Sequence, residues 1–144
     1  MDNQPIRIAH IIGKMMNGGV EAVVFNYYRN IDKNKFQFDF FYDADSTVQP
    51  SLELIEMGAK FYQIPPYQRI ISYERELIKL FKLNKYKIVH SHMNTLSIFS
   101  LRAAKRAGVP IRIAHNHSTA GKGETKKNIM KYMLRPFAKI YPTH

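Results

Sequence analysis

Four of the six histidines fall in two short segments, "VHSHMNTLS" with His90 and His92, and "AHNHSTAGKGE" with His115 and His117. Each pair has the spacing His-x-His. In an extended chain that spacing puts both rings on one side, because side chains alternate between faces. Such a pair can ligate a metal, orient a nucleophile, or hydrogen-bond sugar hydroxyls and phosphate oxygens. The neighbours discriminate among these. Neither pair has an aspartate beside it, and Glu124 is the one acid of the second segment, so no metal centre is expected. Ser118 is not in a G-x-S-x-G turn and has no acid placed to orient a base. Hydrogen bonding remains: Asn94, His117, Ser118 and Thr119 suit hydroxyls, and Gly121, Lys122 and Gly123 suit a phosphate. The first histidine of each pair, His90 and His115, reads as the last core residue of a strand, satisfied in place.

A second chemical signal is "NGGVE", Asn17 to Glu21, between two apolar runs. Ile6, Ile8, Ile11 and Ile12 before it read as a buried strand. Val20, Val23, Val24, Tyr27 and Tyr28 after it recur as one face of a helix. Glycine lets a ligand approach the backbone, and a helix N-terminus favours an anion. The stretch matches neither G-x-G-x-x-G nor G-x-x-x-x-G-K-[ST]. A tight strand-to-helix turn therefore stays open as the simpler reading, with Glu21 as an acid favouring the helix dipole.

The elements that must position these residues follow the same rhythm. Strand-like "FQFDFFY", "KFYQIPP", "KIVH" and "PIRIAH" alternate with helical segments. One helix ends at Gly58. A second carries Tyr73, Leu77, Leu80 and Phe81 on one face, with Ser72 as its expected cap. A third ends at Gly108 and Pro110, and a last one spans Glu124 to Lys139. Alternation of this kind predicts an α/β domain, Rossmann-like and three-layered, with a mostly parallel open sheet. Ligands in such sheets bind outside the carboxyl ends of the strands. That rule selects the loops Lys14–Glu21, Pro65–Ser72, Ser91–Asn94 and Asn116–Glu124.

At 144 residues the chain suits one domain with a sizeable core. It has no cysteine, hence no disulfide or thiolate chemistry. No basic-then-apolar leader opens it, and no apolar run approaches a membrane span. Charge is uneven. Residues 1–101 carry net +2 and residues 102–144 net +9, which points to an anionic partner or to a solvated face. Lys126, Lys127, Lys131 and Arg135 line one side of the last helix, opposite Ile129, Met130, Met133, Leu134 and Phe137. Such a helix can lie on an anionic membrane, or pack inward and present its lysines to water. Aromatic and basic residues are not interleaved as in nucleic-acid binders, and no nucleic-acid partner is expected.

Taken together, "NGGVEAVVFNYYRNID", "IVHSHMNTLSIFSLRAAKRAGVPIRIAHNHSTAGKG" and "KKNIMKYMLRPFAKIY" resemble the N-terminal half of bacterial retaining glycosyltransferases of family 4. These are GT-B enzymes of the kind that build capsular polysaccharide and exopolysaccharide. The resemblance implies two Rossmann-like domains facing a cleft, the first binding the acceptor and the second the nucleotide-sugar donor. It implies no metal and no other cofactor. It places Gly18, Gly19 and Glu21 near the donor diphosphate and transferred sugar, and His92 against the sugar in the catalytic position. Asn94, His117, Ser118 and Lys122 would contact acceptor or donor. Lys126, Lys127, Lys131 and Arg135 would meet the membrane that carries a polyprenyl-diphosphate acceptor. The expected location is cytoplasmic, peripheral at the inner face of the cell membrane.

The family continues into a second domain with an E-x7-E motif, which the residues up to His144 do not contain. Residues 1–144 are thus expected to be one truncated domain, inactive alone, or the acceptor subunit of a split enzyme. A nucleotide- or nucleic-acid-binding module using the basic C-terminal segment, or a non-catalytic scaffold, is the competing reading.

Overall fold

The computed structural model describes residues 3–117 and 139–144. Short apolar runs form five strands: β1 Ile6–Gly13, β2 Phe36–Asp43, β3 Lys60–Ile64, β4 Ile88–Ser91 and β5 Ile111–Ala114. All pair in parallel, in the order β3-β2-β1-β4-β5. The order reverses at β1, so the crevice opens between the loops that leave β1 and β4. The predicted Rossmann-like α/β architecture is the one observed.

Each parallel pairing needs a crossover, and four helices supply them: α1 Gly19–Asn30, α2 Leu52–Glu56, α3 Ile70–Leu83 and α4 Ser97–Arg106. Strand alternation sorts the side chains into two cores. Phe38 and Phe40 pack with Val24, Tyr28 and Leu54 of α1 and α2. Ala9, Ile11, Phe41 and Val89 pack with Tyr73, Leu77, Phe81, Leu101 and Ala104 of α3 and α4. The expected faces of α1 and α3 are thereby observed, with one division. Val24 and Tyr28 enter the core, whereas Val23 and Tyr27 stay 43% and 62% exposed.

Two caps differ from expectation. Ser72 lies inside α3, which begins at Ile70 with Arg69 as an N-cap that offers no side-chain bond. The turn after Pro66, closed by Arg69 N–H to Pro66 O at 2.9 Å, starts the helix earlier than the serine signal. Ser51, unremarked in the sequence, does cap α2, its Oγ accepting from Leu54 N at 3.3 Å. Gly58 takes φ +109°, and a Cβ there would come within 2.8 Å of the Gln37 side chain. Beyond β5, Thr143 N donates to Arg112 O at 2.7 Å and Ala114 N to His144 O at 3.1 Å. The chain thus runs along the outer edge of β5. The expected helix from Glu124 to Lys139 lies outside the described residues, apart from Lys139 itself.

Asp39 is fully buried in the middle of β2. Arg7 Nη2 meets its Oδ1 at 2.6 Å, and Tyr86 Oη donates to its Oδ2 at 2.5 Å. These bonds tie β2 to β1 and to the loop before β4. Arg7 is only half-buried, so removing the carboxylate leaves a partly desolvated guanidinium together with a buried Tyr86 hydroxyl that has lost its acceptor. Asp39→Ala is therefore expected to cost about 3–5 kcal/mol, and Tyr86→Phe about 1–2 kcal/mol. Urea unfolding followed by circular dichroism checks both, and similar small losses for the two would refute this ordering.

Candidate functional site

The loop from Lys14 to Gly18 turns the chain from β1 into α1. Asn17 holds φ 59°, a left-handed conformation that asparagine tolerates. Glu21, on the first turn of α1, is 6% exposed and reaches back over the loop. Its Oε1 accepts from Met16 N at 2.8 Å and its Oε2 from Asn17 N at 2.9 Å. The carboxylate is thus committed to shaping the loop, in addition to favouring the helix dipole. Met15 N donates to Ser46 Oγ at 2.8 Å and ties the loop to the end of β2.

Asn17, Gly18 and Gly19 are exposed at the head of α1. Gly18, the N-cap, has φ −82° and supplies no side-chain bond to the leading N–H groups. A Cβ on Gly19 would meet nothing within 4 Å, and one on Gly18 would only reach Glu21 Oε1 at 4.0 Å. Gly13 and Gly108 are different, since φ +72° and +82° require glycine there. Neither conformation nor packing within the described chain requires glycine at 18 and 19. The glycines leave open space in front of a helix N-terminus.

β4 ends beside β1, with His92 N donating to Ile11 O at 2.9 Å. On the face toward α1, the two histidine pairs come together as alternation requires. The rings of His90 and His92 stack at 4.1 Å, and those of His115 and His117 at 4.0 Å. A fifth ring joins them from β1. His10 Nδ1 lies 2.9 Å from His92 Nε2, and His92 Nδ1 lies 2.8 Å from His117 Nε2. His90 Nε2 is 3.2 Å from His115 Nδ1. Asn94, held at φ 55°, accepts from His117 N through Oδ1 at 2.7 Å and so fixes the exit of β5.

The five rings line a cleft of about 220 Å³ with Ile8, Phe38, the α1 residues Val23, Val24 and Tyr27, and Ile31 just past the end of α1. No carboxylate and no lysine stand among the described residues of its wall. Burial, and secondarily the neighbouring imidazoles, hold His10, His90, His92 and His117 below the ordinary histidine range, with His90 at about 4. These four rings are neutral at pH 7. A neutral imidazole has one donor and one acceptor, so His92 donates from one nitrogen and accepts at the other. His10, His92 and His117 thus form a polarised chain, with His10 Nε2 buried and unpartnered at its inner end.

The sequence reading brought His92, Asn94 and His117 to one place, and the structure joins them directly. The expectation that His90 and His115 end strands in the core is corrected: both are half-buried and line the cleft. The reason is that α1 leaves this part of the sheet face open, so those rings border a cleft instead of a packed layer. His10 was missed. Its signal was present, since Ile8, His10 and Ile12 share parity on β1, but only the β1–β4 pairing shows that this face meets the other histidines. Ser118, Lys122, Lys126, Lys127, Lys131 and Arg135 lie outside the described residues.

Sheet order and cleft define a Rossmann-like α/β domain of the GT-B transferase type. Solved structures of this fold include MurG of Acinetobacter baumannii, with TM-score 0.66 and 12% identity, over 96% of this chain and 40% of that one. The apo lipopolysaccharide outer core galactosyltransferase WaaB gives TM-score 0.57 and 18% identity, over 88% and 37%. Residues 17–142 match Glycosyltransferase Family 4, and the chain belongs to that family. A relative described as a glycosyltransferase, EpsF of Bacillus subtilis (strain 168), is 31% identical over 125 residues, 85% of this chain and 33% of its own length. The UDP-Gal:alpha-D-GlcNAc-diphosphoundecaprenol alpha-1,3-galactosyltransferase of Escherichia coli is 25% identical over 130 residues, 86% of this chain and 33% of its own. The chain spans about a third of the length of these curated relatives.

The low folded pKa fixes a pH dependence. In the unfolded chain histidine takes up its proton near pH 6.5, in the fold His90 only near 4. Stability is full above about pH 6.5 and falls as the pH drops from there toward about 4, since the unfolded state binds more protons in that window. His90 is half-buried, so screening reduces its share to about 2 kcal/mol. His90→Gln is expected to flatten this part of a stability–pH curve, and an unchanged slope would assign the acid sensitivity elsewhere.

Proposed function

We propose that this domain is the acceptor-binding half of a retaining hexosyltransferase. It would work with a donor-binding domain to move a sugar from a nucleotide-sugar to a polysaccharide or lipid-linked acceptor. The observation that carries this reading is the pair Gly18–Gly19. Nothing among the described residues requires glycine at either position, so a group arriving from outside is the proposed reason for their lack of side chains. The helix N-terminus behind them favours an anion, and the diphosphate of an activated sugar has that charge. On this reading Glu21 sets the loop's shape and the glycine backbone meets the diphosphate.

His92 is the proposed catalytic group, set against the transferred sugar. Its Nδ1 is held by His117 in the absence of ligand, so a sugar hydroxyl would replace that bond rather than meet an unpaired nitrogen. Asn94, His117, Ser118 and Lys122 are proposed acceptor or donor contacts, and no nucleic acid is expected to compete. The relative from Escherichia coli acts, by its name, on a diphosphoundecaprenol acceptor. A polyprenyl-diphosphate acceptor for this enzyme would place it in the cytoplasm, peripheral at the inner membrane face, with Lys126, Lys127, Lys131 and Arg135 toward anionic lipid. Among the described residues no helix is long and apolar enough to cross a membrane.

Gly19→Ala tests the central point. Alanine is the better helix residue, so the variant is expected to match or exceed the parent in stability by up to about 1 kcal/mol. Transfer by the full-length enzyme is expected to fall by about tenfold or more, mainly through KM for the nucleotide-sugar. Unchanged kinetics in the folded variant would sink the proposal that the loop receives the donor.

A further inference from the structure

We propose that His92, His115 and His117 form a binding site for one borderline divalent ion of the zinc class, with its fourth coordination position open to the cleft. Each ring offers one nitrogen, and these three atoms lie within 4.8 Å of one another. His92 Nδ1 and His117 Nε2 are already 2.8 Å apart. Tetrahedral coordination with zinc–nitrogen bonds of about 2.0–2.1 Å needs nitrogens about 3.3 Å apart. A small opening of the His92–His117 contact, with the shared proton moved to the other nitrogen of its own ring, makes room for the ion. Sequence reading argued against a metal because neither His-x-His pair has an acid beside it. The fold removes that objection by bringing a third imidazole from a different strand, and three histidines with a water suffice for zinc.

The surroundings have the features that a metal-binding set requires. The nitrogens on the far side of two of the ligand rings are already engaged. His92 Nε2 faces His10 Nδ1 at 2.9 Å, and His115 Nδ1 faces His90 Nε2 at 3.2 Å. With an ion bound, each ligand would donate its remaining N–H to that neighbour, which orients the ring and raises its basicity. The donation from His92 places the His10 proton on Nε2, the buried nitrogen without a partner, and that cost opposes the metal–nitrogen bonds. Half-buried His115 and His117 give the ion a way in. A second set, His10, His90 and His92, also has its nitrogens within 4.8 Å, but two of its members are buried and it shares His92. The position left open takes water or an anionic oxygen entering the cleft, and because the ion and the proposed sugar hydroxyl both use His92 Nδ1, the two occupants exclude each other.

The test uses the complete 144-residue chain, free of any purification tag and dialysed against chelator. Cobalt(II) is titrated in while the visible d–d bands of a four-coordinate ion are recorded, and zinc is then added in competition. The expected result is one cobalt per chain, displaced by zinc. His115→Gln and His117→Gln, at half-buried positions and checked for folding by circular dichroism, are each expected to weaken binding by about tenfold or more. His144→Gln, at the exposed sixth histidine, is expected to bind as the parent does. No four-coordinate spectrum, or one that persists in both folded cleft variants, would overturn the proposal, as would its loss in His144→Gln.

Discussion

Everything at the cleft depends on the pairing of β1 with β4 in the register His10 against His90. That register is held from the opposite face. Ala9, Ile11 and Val89 point into the α3–α4 core, and a slip of one residue would turn them toward the cleft and send the histidines into the apolar layer. The burial of three small aliphatic side chains on one face therefore specifies where three imidazoles stand on the other. The same pairing sets the loops after β1 and β4 side by side, so the glycine turn and the histidine cluster share one edge of the sheet. Arg7, Asp39 and Tyr86 reinforce it from the β2 side, joining β1, β2 and the approach to β4 through one buried carboxylate.

The cleft is also a local exception to the chain's electrostatics. The protein is strongly basic, at net +11, yet the described wall of the cleft carries no carboxylate, lysine or arginine. Recognition there would rely on oriented neutral dipoles, backbone N–H groups and ring nitrogens, which select by geometry more than by charge. Glu21 fits the same pattern. It is a buried acid beside the opening, and each of its oxygens accepts from a backbone N–H group, so it shapes the loop.

Much of this was legible in the sequence. Strand and helix alternation was sufficient for the parallel sheet, because β-branched and aromatic runs of five to eight residues alternate with helical periodicity. Parity alone predicted that His90 and His92, and His115 and His117, would share sides. What parity could not supply was the neighbour across the sheet. His10 sits eighty-two positions from His92, and only strand order brings them together. Ser72 failed as a cap because the turn after Pro66 starts α3 before the serine can act, a geometric fact with a weak local signature. Glu21 was visible as a first-turn acid, whereas its reach back to Met16 and Asn17 depends on the left-handed bend at Asn17. The glycines were legible as a loop. Their lack of an internal reason appeared only when the space around each Cβ could be measured.

The segment from Tyr141 to His144 has a consequence for behaviour in solution. It occupies the outer edge of β5 with backbone bonds at Arg112 and Ala114, while the Arg112 side chain donates to Tyr141 O at 2.6 Å and Val109 O at 2.8 Å. An uncovered strand edge offers unpaired N–H and C=O groups to any chain that can add to it. A version shortened by these four residues would lose the Tyr141 ring from the margin of the α3–α4 core and present such an edge. Its first symptom would be colloidal, a concentration-dependent growth of particle size, before any loss of secondary structure.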